Sequence, residues 1–326
     1  MMIDRYKSRS CPADNGSDDV AWMVLATTLS ITLLLQVQDP FTIALPSLIK
    51  PAAACLVLGG LGWFYSHRRP ASDIAAMLNG LLLMTLFSAV GAMLSYMLAA
   101  RGGAFWDAQF ASWDATLNLD WRRWLALVDR HPWASVSLNI AYRTLIPQMV
   151  LLILTLGLCR RQKALRIAIL AAMIAGLTII LLSSWMPALG AYVHYGVVSG
   201  DHPGLSPAAA LVHMPNVAGL REGTMRLLSL DRLEGIITFP SYHGALAVIF
   251  CWGFAQAPIP AIRVAGMSVS MLTLIATPID GGHYFSDVVA DALVALSSIP
   301  IAARGVHFRL PVRWEAEAAM GHPLPS

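Results

Sequence analysis

Apolar residues along this chain gather into eight runs bounded by charge, proline or glycine, near residues 20–37, 43–65, 74–99, 136–158, 164–186, 241–257, 261–279 and 284–303. A hydrocarbon layer of about 30 Å takes about 20 residues of α-helix to cross. The pattern therefore predicts an all-α, polytopic integral membrane bundle of about eight transmembrane helices. The sixth and seventh runs are short and meet at an apolar turn, Pro258-Ile259-Pro260. The first run follows Arg5, Lys7 and Arg9, as a signal peptide would. However, Asp18 and Asp19 abut it, it is longer than a signal's apolar region, and its exit Val37-Gln38-Asp39-Pro40 lacks a small-x-small cleavage pattern, so an uncleaved anchor is expected.

The 102–133 stretch is too polar to span, yet it carries Phe105, Trp106, Phe110, Trp113, Trp121, Trp124 and Trp133 among Asp107, Asp114, Asp120 and Asp129. Such density of tryptophan fits helices lying at the membrane interface.

Composition agrees with the bilayer reading. Of 326 residues 57% are hydrophobic and 13% charged, against about 25% charged in an average soluble domain, and mean hydropathy is +0.62. A net charge of +3, segregated by loop, gives no nucleic-acid partner. Cys55, Cys159 and Cys251 lie in or beside apolar runs and Cys11 in a polar tail, with no disulfide framework and no Cys-x-x-Cys spacing, so they read as small buried hydrophobes.

Cations set the expected orientation. With the N-terminus inside, the inner segments hold Arg5, Lys7, Arg9, Arg68, Arg69, Arg160, Arg161, Lys163, Arg166, Arg263, Arg304, Arg309 and Arg313. The longer outer segments hold Arg101, Arg122, Arg123, Arg130, Arg221, Arg226 and Arg232. Both termini are thus predicted to be cytoplasmic, with the 100–135 and 187–240 segments extracytoplasmic. Lys50 and Arg143 remain inside predicted spans, where a central Lys or Arg costs about 2.5–3.5 kcal/mol. Lys50, before Pro51, is expected to snorkel or to face a helix break; Arg143, beside Tyr142, is a candidate for an anion-holding cavity.

Two stretches put ionisable groups where spans meet the outer face. In Glu234-Gly-Ile-Ile-Thr-Phe-Pro240-Ser241-Tyr242-His243-Gly244, Pro240 and Ser241 are helix-start residues. His243 then falls in a first turn whose free N–H groups favour an anion. In Gly281-Gly282-His283-Tyr284-Phe285-Ser286-Asp287, His283 and Asp287 are four apart and share a helix face. The carboxylate can fix one imidazole nitrogen and leave the other as nucleophile or base; Asp291 continues that face deeper. A hairpin turning at Pro258 and Pro260 brings His243 and His283 to one membrane face, as an acid and nucleophile pair for phosphoryl transfer without metal. His194, His202 and His213 match no ligand spacing and are expected to be loop residues.

These residues resemble the type 2 phosphatidic acid phosphatase superfamily, whose motifs are Lys-x6-Arg-Pro, Pro-Ser-Gly-His and Ser-Arg-x5-His-x3-Asp. Pro240-Ser241-Tyr242-His243 is similar to the second, with Tyr at the Gly position, and His283-x3-Asp287 to the end of the third. The strings Glu-Gly-Ile-Ile-Thr-Phe-Pro-Ser-Tyr-His and His-Tyr-Phe-Ser-Asp look more like the inositol phosphorylceramide synthase-like, or inositolphosphotransferase, branch. Weaker similarity extends through Asp107/Asp114, Ala141-Tyr142 and Leu220-Arg221-Glu222-Gly223. By position, the resemblance makes His283 the nucleophile of a phospho-histidine intermediate, Asp287 its orienting partner and His243 the group that protonates the leaving oxygen. The first motif is absent: Arg68-Arg69-Pro70 has Gly62 at the Lys position and lies on the wrong face. In the third motif Thr277 stands at the Arg position. Phosphate oxygens still need holding, so Arg221, then Arg143 and Arg226, are the expected clamps, with Ser241 and Tyr242 as further phosphate contacts; for Arg226 and Arg232 a solvated loop charge is the simpler expectation.

The resemblance covers about residues 100–300. It divides the chain into a cytoplasmic tail (1–19), N-terminal transmembrane helices (20–99), a catalytic membrane domain with a six-helix phosphatidic acid phosphatase-like core (100–303) and a second cytoplasmic tail (304–326). The implied activity is a lipid phosphotransferase, or with water as acceptor a lipid phosphate phosphatase. It would need no cofactor or metal, and its partners would be a membrane lipid and, for transfer, an alcohol. A transporter would spread its ionisable groups through the bilayer depth, and a serine protease using Ser241 lacks a Gly-x-Ser-x-Gly elbow.

Overall fold

The structure, a computed structural model, describes residues 17–198, 201–207 and 209–308. Arg5, Lys7, Arg9, Cys11, Arg309 and Arg313, and with them most of both predicted tails, lie outside the described residues. The fold is helical: α1 (Asp19–Gln38), α2 (Leu45–His67), α3 (Ser72–Ala99), α4 (Asp107–Thr116), α5 (Trp121–Asp129), α6 (Pro132–Arg143), α7 (Leu145–Leu158), α8 (Gln162–Trp185), α9 (Ala191–His194), α10 (Met214–Glu222), α11 (Tyr242–Ala255), α12 (Pro260–Asp280) and α13 (Phe285–Gly305). Two short strands, β1 (Thr42–Ile43) and β2 (Leu227–Leu228), pair in parallel.

All eight apolar runs are helical, and six of the helices are long and apolar enough to cross a membrane. The other two runs differ from plain spans. The fourth is broken, α6 and α7 meeting at 58°. The break frees the Ala141 carbonyl, which accepts from the Thr144 hydroxyl at 2.9 Å, the Gln148 amide at 3.1 Å and the Thr273 hydroxyl of α12 at 2.9 Å. Those three side chains let irregular backbone persist at membrane depth, where an unpaired carbonyl would be costly.

The sixth, α11, has 14 residues, about 21 Å of helix at 1.5 Å per residue, short of a full crossing. Its neighbours define the shortfall. The Ser241 N–H donates to Asp291 Oδ1 at 2.6 Å, and Asp291 is six residues into α13, so α11 starts about 9 Å below the start of α13.

The core is built around α8, which is buried on most of its surface and packs against α3, α11 and α13. By contrast α2 has a single buried residue, Ser47, and packs chiefly on α3. Lys50 is exposed in the second turn of α2, with Asp231 as an electrostatic neighbour. The Ser17 N–H donates to the Val306 carbonyl at 2.8 Å, which puts the two ends of the described chain on one side of the bundle.

The aromatic stretch forms α4 and α5. Asp120 caps α5 by accepting the Arg123 N–H, and Trp121, Leu125 and Val128, at i, i+4 and i+7, face inward. Trp121 Nε1 donates to the Pro278 carbonyl in the last turn of α12 at 3.1 Å. Phe110 and Trp121 are fully buried while Trp113 and Trp133 are exposed, so this segment packs on the end of the bundle where α12 stops and α13 starts, as well as presenting aromatic rings at the surface.

Candidate active site

Between α12 and α13 lies Gly281-Gly282-His283-Tyr284. Gly282 has a left-handed φ of +75°, available to glycine without a Cβ penalty, and its carbonyl accepts the Ala191 N–H at 2.8 Å. Asp114 of α4 accepts from the first two N–H groups of α13, Phe285 at 2.8 Å and Ser286 at 2.7 Å. Asp107 accepts the Tyr284 hydroxyl at 2.9 Å and the N–H groups of Leu189 and Gly190. These two carboxylates hold the loop and the start of α13.

His283 is 4% exposed. Its Nδ1 lies 2.5 Å from the Thr238 carbonyl oxygen and 3.3 Å from Asp287 Oδ2. A carbonyl only accepts, so Nδ1 carries the proton and a neutral ring keeps its lone pair on Nε2. Burial lowers the imidazole to about 4, against the pull of the Thr238 carbonyl, leaving it neutral at physiological pH. Asp287 also accepts the Tyr284 N–H at 3.0 Å, as an N3 residue does when it caps its own helix. The predicted His283–Asp287 pair is thus present, but the closer partner of Nδ1 is a backbone carbonyl that no side-chain pattern could reveal.

Ser241 is the N-cap of α11, its backbone extended and its hydroxyl accepting the Gly244 N–H at 3.4 Å, as expected of Pro-Ser at a helix start. One turn in, the His243 ring stacks on Tyr142 of α6 with centroids 4.3 Å apart and planes 5° from parallel. The Asp291 carboxylate fills the space beside Gly244, where a Cβ would collide with it. Asp291 Oδ2 and Asp287 Oδ1 are buried without a hydrogen-bond partner among the described residues. The Tyr242 hydroxyl donates to the Ala172 carbonyl of α8 at 3.1 Å.

These elements enclose a cavity of about 300 Å³ lined by His243, His283, His213, Ser241, Tyr242, Tyr142 and Gly281, with an apolar side that includes Phe87, Ile180 and Ile236. The shortness of α11 opens it, because the helix stops below the ends of its neighbours. Gly281 keeps it open next to the nucleophile candidate: a Cβ there would sit 2.7 Å from the Tyr142 hydroxyl and 2.8 Å from His283 Nε2.

The expected cations are elsewhere. Among the described residues lining the cavity there is no arginine or lysine. Arg143 is exposed on α6 and donates to Asn139 Oδ1 at 2.8 Å. Arg221 donates to the Gly103 carbonyl and lies 3.7 Å over the Phe105 ring, in a smaller neighbouring pocket. Arg226 pairs with Asp39 at 3.2 Å and covers Phe41. Each guanidinium thus has its partner away from the apolar cavity wall: an amide on its own helix for Arg143, a ring and a carbonyl for Arg221, and a carboxylate and a ring for Arg226. Of the loop histidines, His202 pairs with Asp129 and His194 packs edge-on to Tyr195. His213, expected as a plain loop residue, instead lines the cavity, because the loop before α10 folds back over the Gly282 turn. Among the described residues no three His, Cys, Asp or Glu converge as metal ligands.

A family model described as PAP2 superfamily matches residues 108–301, more than half of the chain, from the second residue of α4 through α12 and most of α13. No curated protein and no solved structure matches.

Proposed function

Because the chain belongs to the PAP2 superfamily, a helical membrane family of lipid phosphatase and phosphotransferase type, we propose that the cavity transfers the phosphate-ester headgroup of a lipid phosphodiester through a phospho-histidine at His283 that keeps its remaining ester, as in the inositol phosphorylceramide synthase-like branch. The observation that carries this reading is the Nδ1 contact with Thr238, which leaves the Nε2 lone pair at the cavity.

In the first step His283 Nε2 attacks phosphorus and the bond from phosphorus to the leaving oxygen breaks. His243, entering as an imidazolium, donates one ring proton to that oxygen and becomes neutral, while Asp287 and the Thr238 carbonyl stabilise the N–H on Nδ1 as the His283 ring becomes positive. In the second step the acceptor hydroxyl attacks phosphorus, the N–P bond breaks, and His243 takes the acceptor's proton. General acid–base assistance of this kind contributes about 10²–10⁴-fold. The first turn of α11, opening on the cavity at Ser241, Tyr242 and His243, offers backbone dipoles to the phosphoryl oxygens. No step as written uses a metal.

The cationless wall favours a diester. A phosphate monoester brings close to two negative charges and a diester one, and an unpaired buried charge is expensive. A lipid phosphate phosphatase, with water attacking in the second step, uses the same residues. The excess of cations on the inner segments supports cytoplasmic termini and a cavity at the extracytoplasmic face.

The test is incubation of purified protein with phospholipids labelled in the phosphoryl group, with and without alcohol acceptors. Acid-labile label on wild-type protein, absent from His283→Ala, is expected, together with transfer to an alcohol in preference to water. Undiminished turnover in His283→Ala would remove the nucleophile assignment, and label released solely to water, as the headgroup phosphate from a diester or as free phosphate from a monoester, would favour the phosphatase.

A further inference from the structure

His213 is 4% exposed and lines the cavity together with His243 and His283. Its position relative to the His283 loop is fixed from several sides. Its Nε2 lies 3.1 Å from the Leu189 carbonyl, and the Leu189 and Gly190 N–H groups are held by Asp107, which also holds Tyr284. The Ala191 N–H donates to the Gly282 carbonyl and the Ala209 N–H to the Asp280 carbonyl, both at 2.8 Å. Ala210 packs on Gly282 so closely that a Cβ there would lie 3.0 Å from it. A residue so carefully moored beside a phosphoryl-transfer site, in a wall without arginine or lysine, calls for a role.

We propose that His213 is the anion-holding residue of the cavity: it takes a proton from solvent as a monoanionic phosphoryl group enters, and meets that group as an imidazolium. The proposal rests on the phosphoryl-transfer reading for the identity of the anion.

The surroundings keep the ring neutral in the empty site while already supplying partners for its charge. Burial and the nearby His283 oppose its charge, and hold it below the ordinary histidine value in the empty site. The carbonyls of Leu189 and Ala209 favour the charge, as does the carboxylate of Glu234, an exposed residue that itself lines the cavity. Of the other carboxylates close by, Asp107 is committed to Leu189, Gly190 and Tyr284, and Asp280 accepts from Asn139. An entering anion adds the missing attraction, and by linkage binding then draws in a proton. Unlike an arginine, which stays charged throughout, such a residue leaves no unpaired cation buried when the cavity is empty.

The experiment measures binding of a nonhydrolysable, monoanionic phosphonate ester of diacylglycerol to full-length protein in lipid nanodiscs between pH 6 and 8.5, with uncharged diacylglycerol as control. Calorimetry in buffers of different ionisation enthalpy counts the protons. Wild-type protein is expected to take up close to one proton and to lose affinity by about tenfold per pH unit in the upper half of the range, with no such trend for diacylglycerol. His213→Gln should bind at least tenfold more weakly at pH 6 and lose the slope; His213→Lys should bind tightly with a flat profile. Binding by wild type that is independent of pH, or a slope that survives in His213→Gln, would overturn the proposal. Because the probe does not react, the outcome is separable from the catalytic reading: proton-linked binding without label on His283 would sink that reading and leave His213 standing.

Discussion

The two histidines assigned to the chemistry sit in opposite settings. His283 is clamped: Nδ1 meets a carbonyl and a carboxylate, and its loop is tied by Asp114, Asp107 and the Ala191 N–H. His243 has no hydrogen bond to either ring nitrogen from any described residue, and is held by stacking on Tyr142. A nucleophile needs one nitrogen aimed and its tautomer fixed, whereas a group that gives and then takes a proton works best with a nitrogen left to the substrate. The difference in restraint matches the difference in assigned task.

The comparison breaks most severely at the aimed nitrogen. Gly281→Ala puts a methyl between the Tyr142 hydroxyl and His283 Nε2 and is expected to lower kcat by about 10²-fold or more through misplacement alone, measured as lipid turnover with unchanged helical circular dichroism. A normal rate would mean that phosphorus is not approached from Nε2.

Substitution of the unrestrained ring sharpens the contrast. His243→Gln should lose about 10²-fold with a natural alkoxide leaving group, and far less with a nitrophenolate that departs unprotonated. An equal loss with both would remove His243 as the acid.

Acid acts differently on the clamped ring. With His283 lowered to about 4 and an unfolded histidine near 6.5, the unfolded chain binds more protons between those values. Stability should therefore fall as pH drops from about 6.5 toward 4, followed as the thermal midpoint. Over pH 7 to 5.5 the burst of label on His283 at saturating donor should stay constant, and a burst halving near pH 6.5 would show an ordinary, unclamped imidazole. The smallest effects belong outside the contrast. Ser241→Ala should cost about 1 kcal/mol of stability as a lost N-cap with activity within tenfold, and Arg143→Ala should change turnover by less than threefold.

The helical class was legible because a span is a local property: twenty apolar residues report themselves wherever they stand. All eight runs became helices, and Ser241 as an N-cap and the His283–Asp287 spacing were readable for the same reason, since partners three or four residues apart are fixed by helical periodicity. The break at Thr144 was less legible, because it depends on Gln148 and on Thr273 of a distant helix reaching one carbonyl. Arg143 and Arg221 were expected at the phosphate from their charge, yet charge says nothing of direction, and both side chains found partners elsewhere.

By itself, then, the sequence determined the membrane-embedded helical class and the location of the spans, and it singled out His243 and His283 as the rings at two helix starts, because each follows from composition or from contacts within a few residues. The tertiary structure decided which atoms surround those rings. Thr238 is 45 residues from His283, and His213 is carried to the cavity by a loop with no periodic signal. A backbone carbonyl has the same sequence signature at every residue, and only the folded chain aims one at an imidazole.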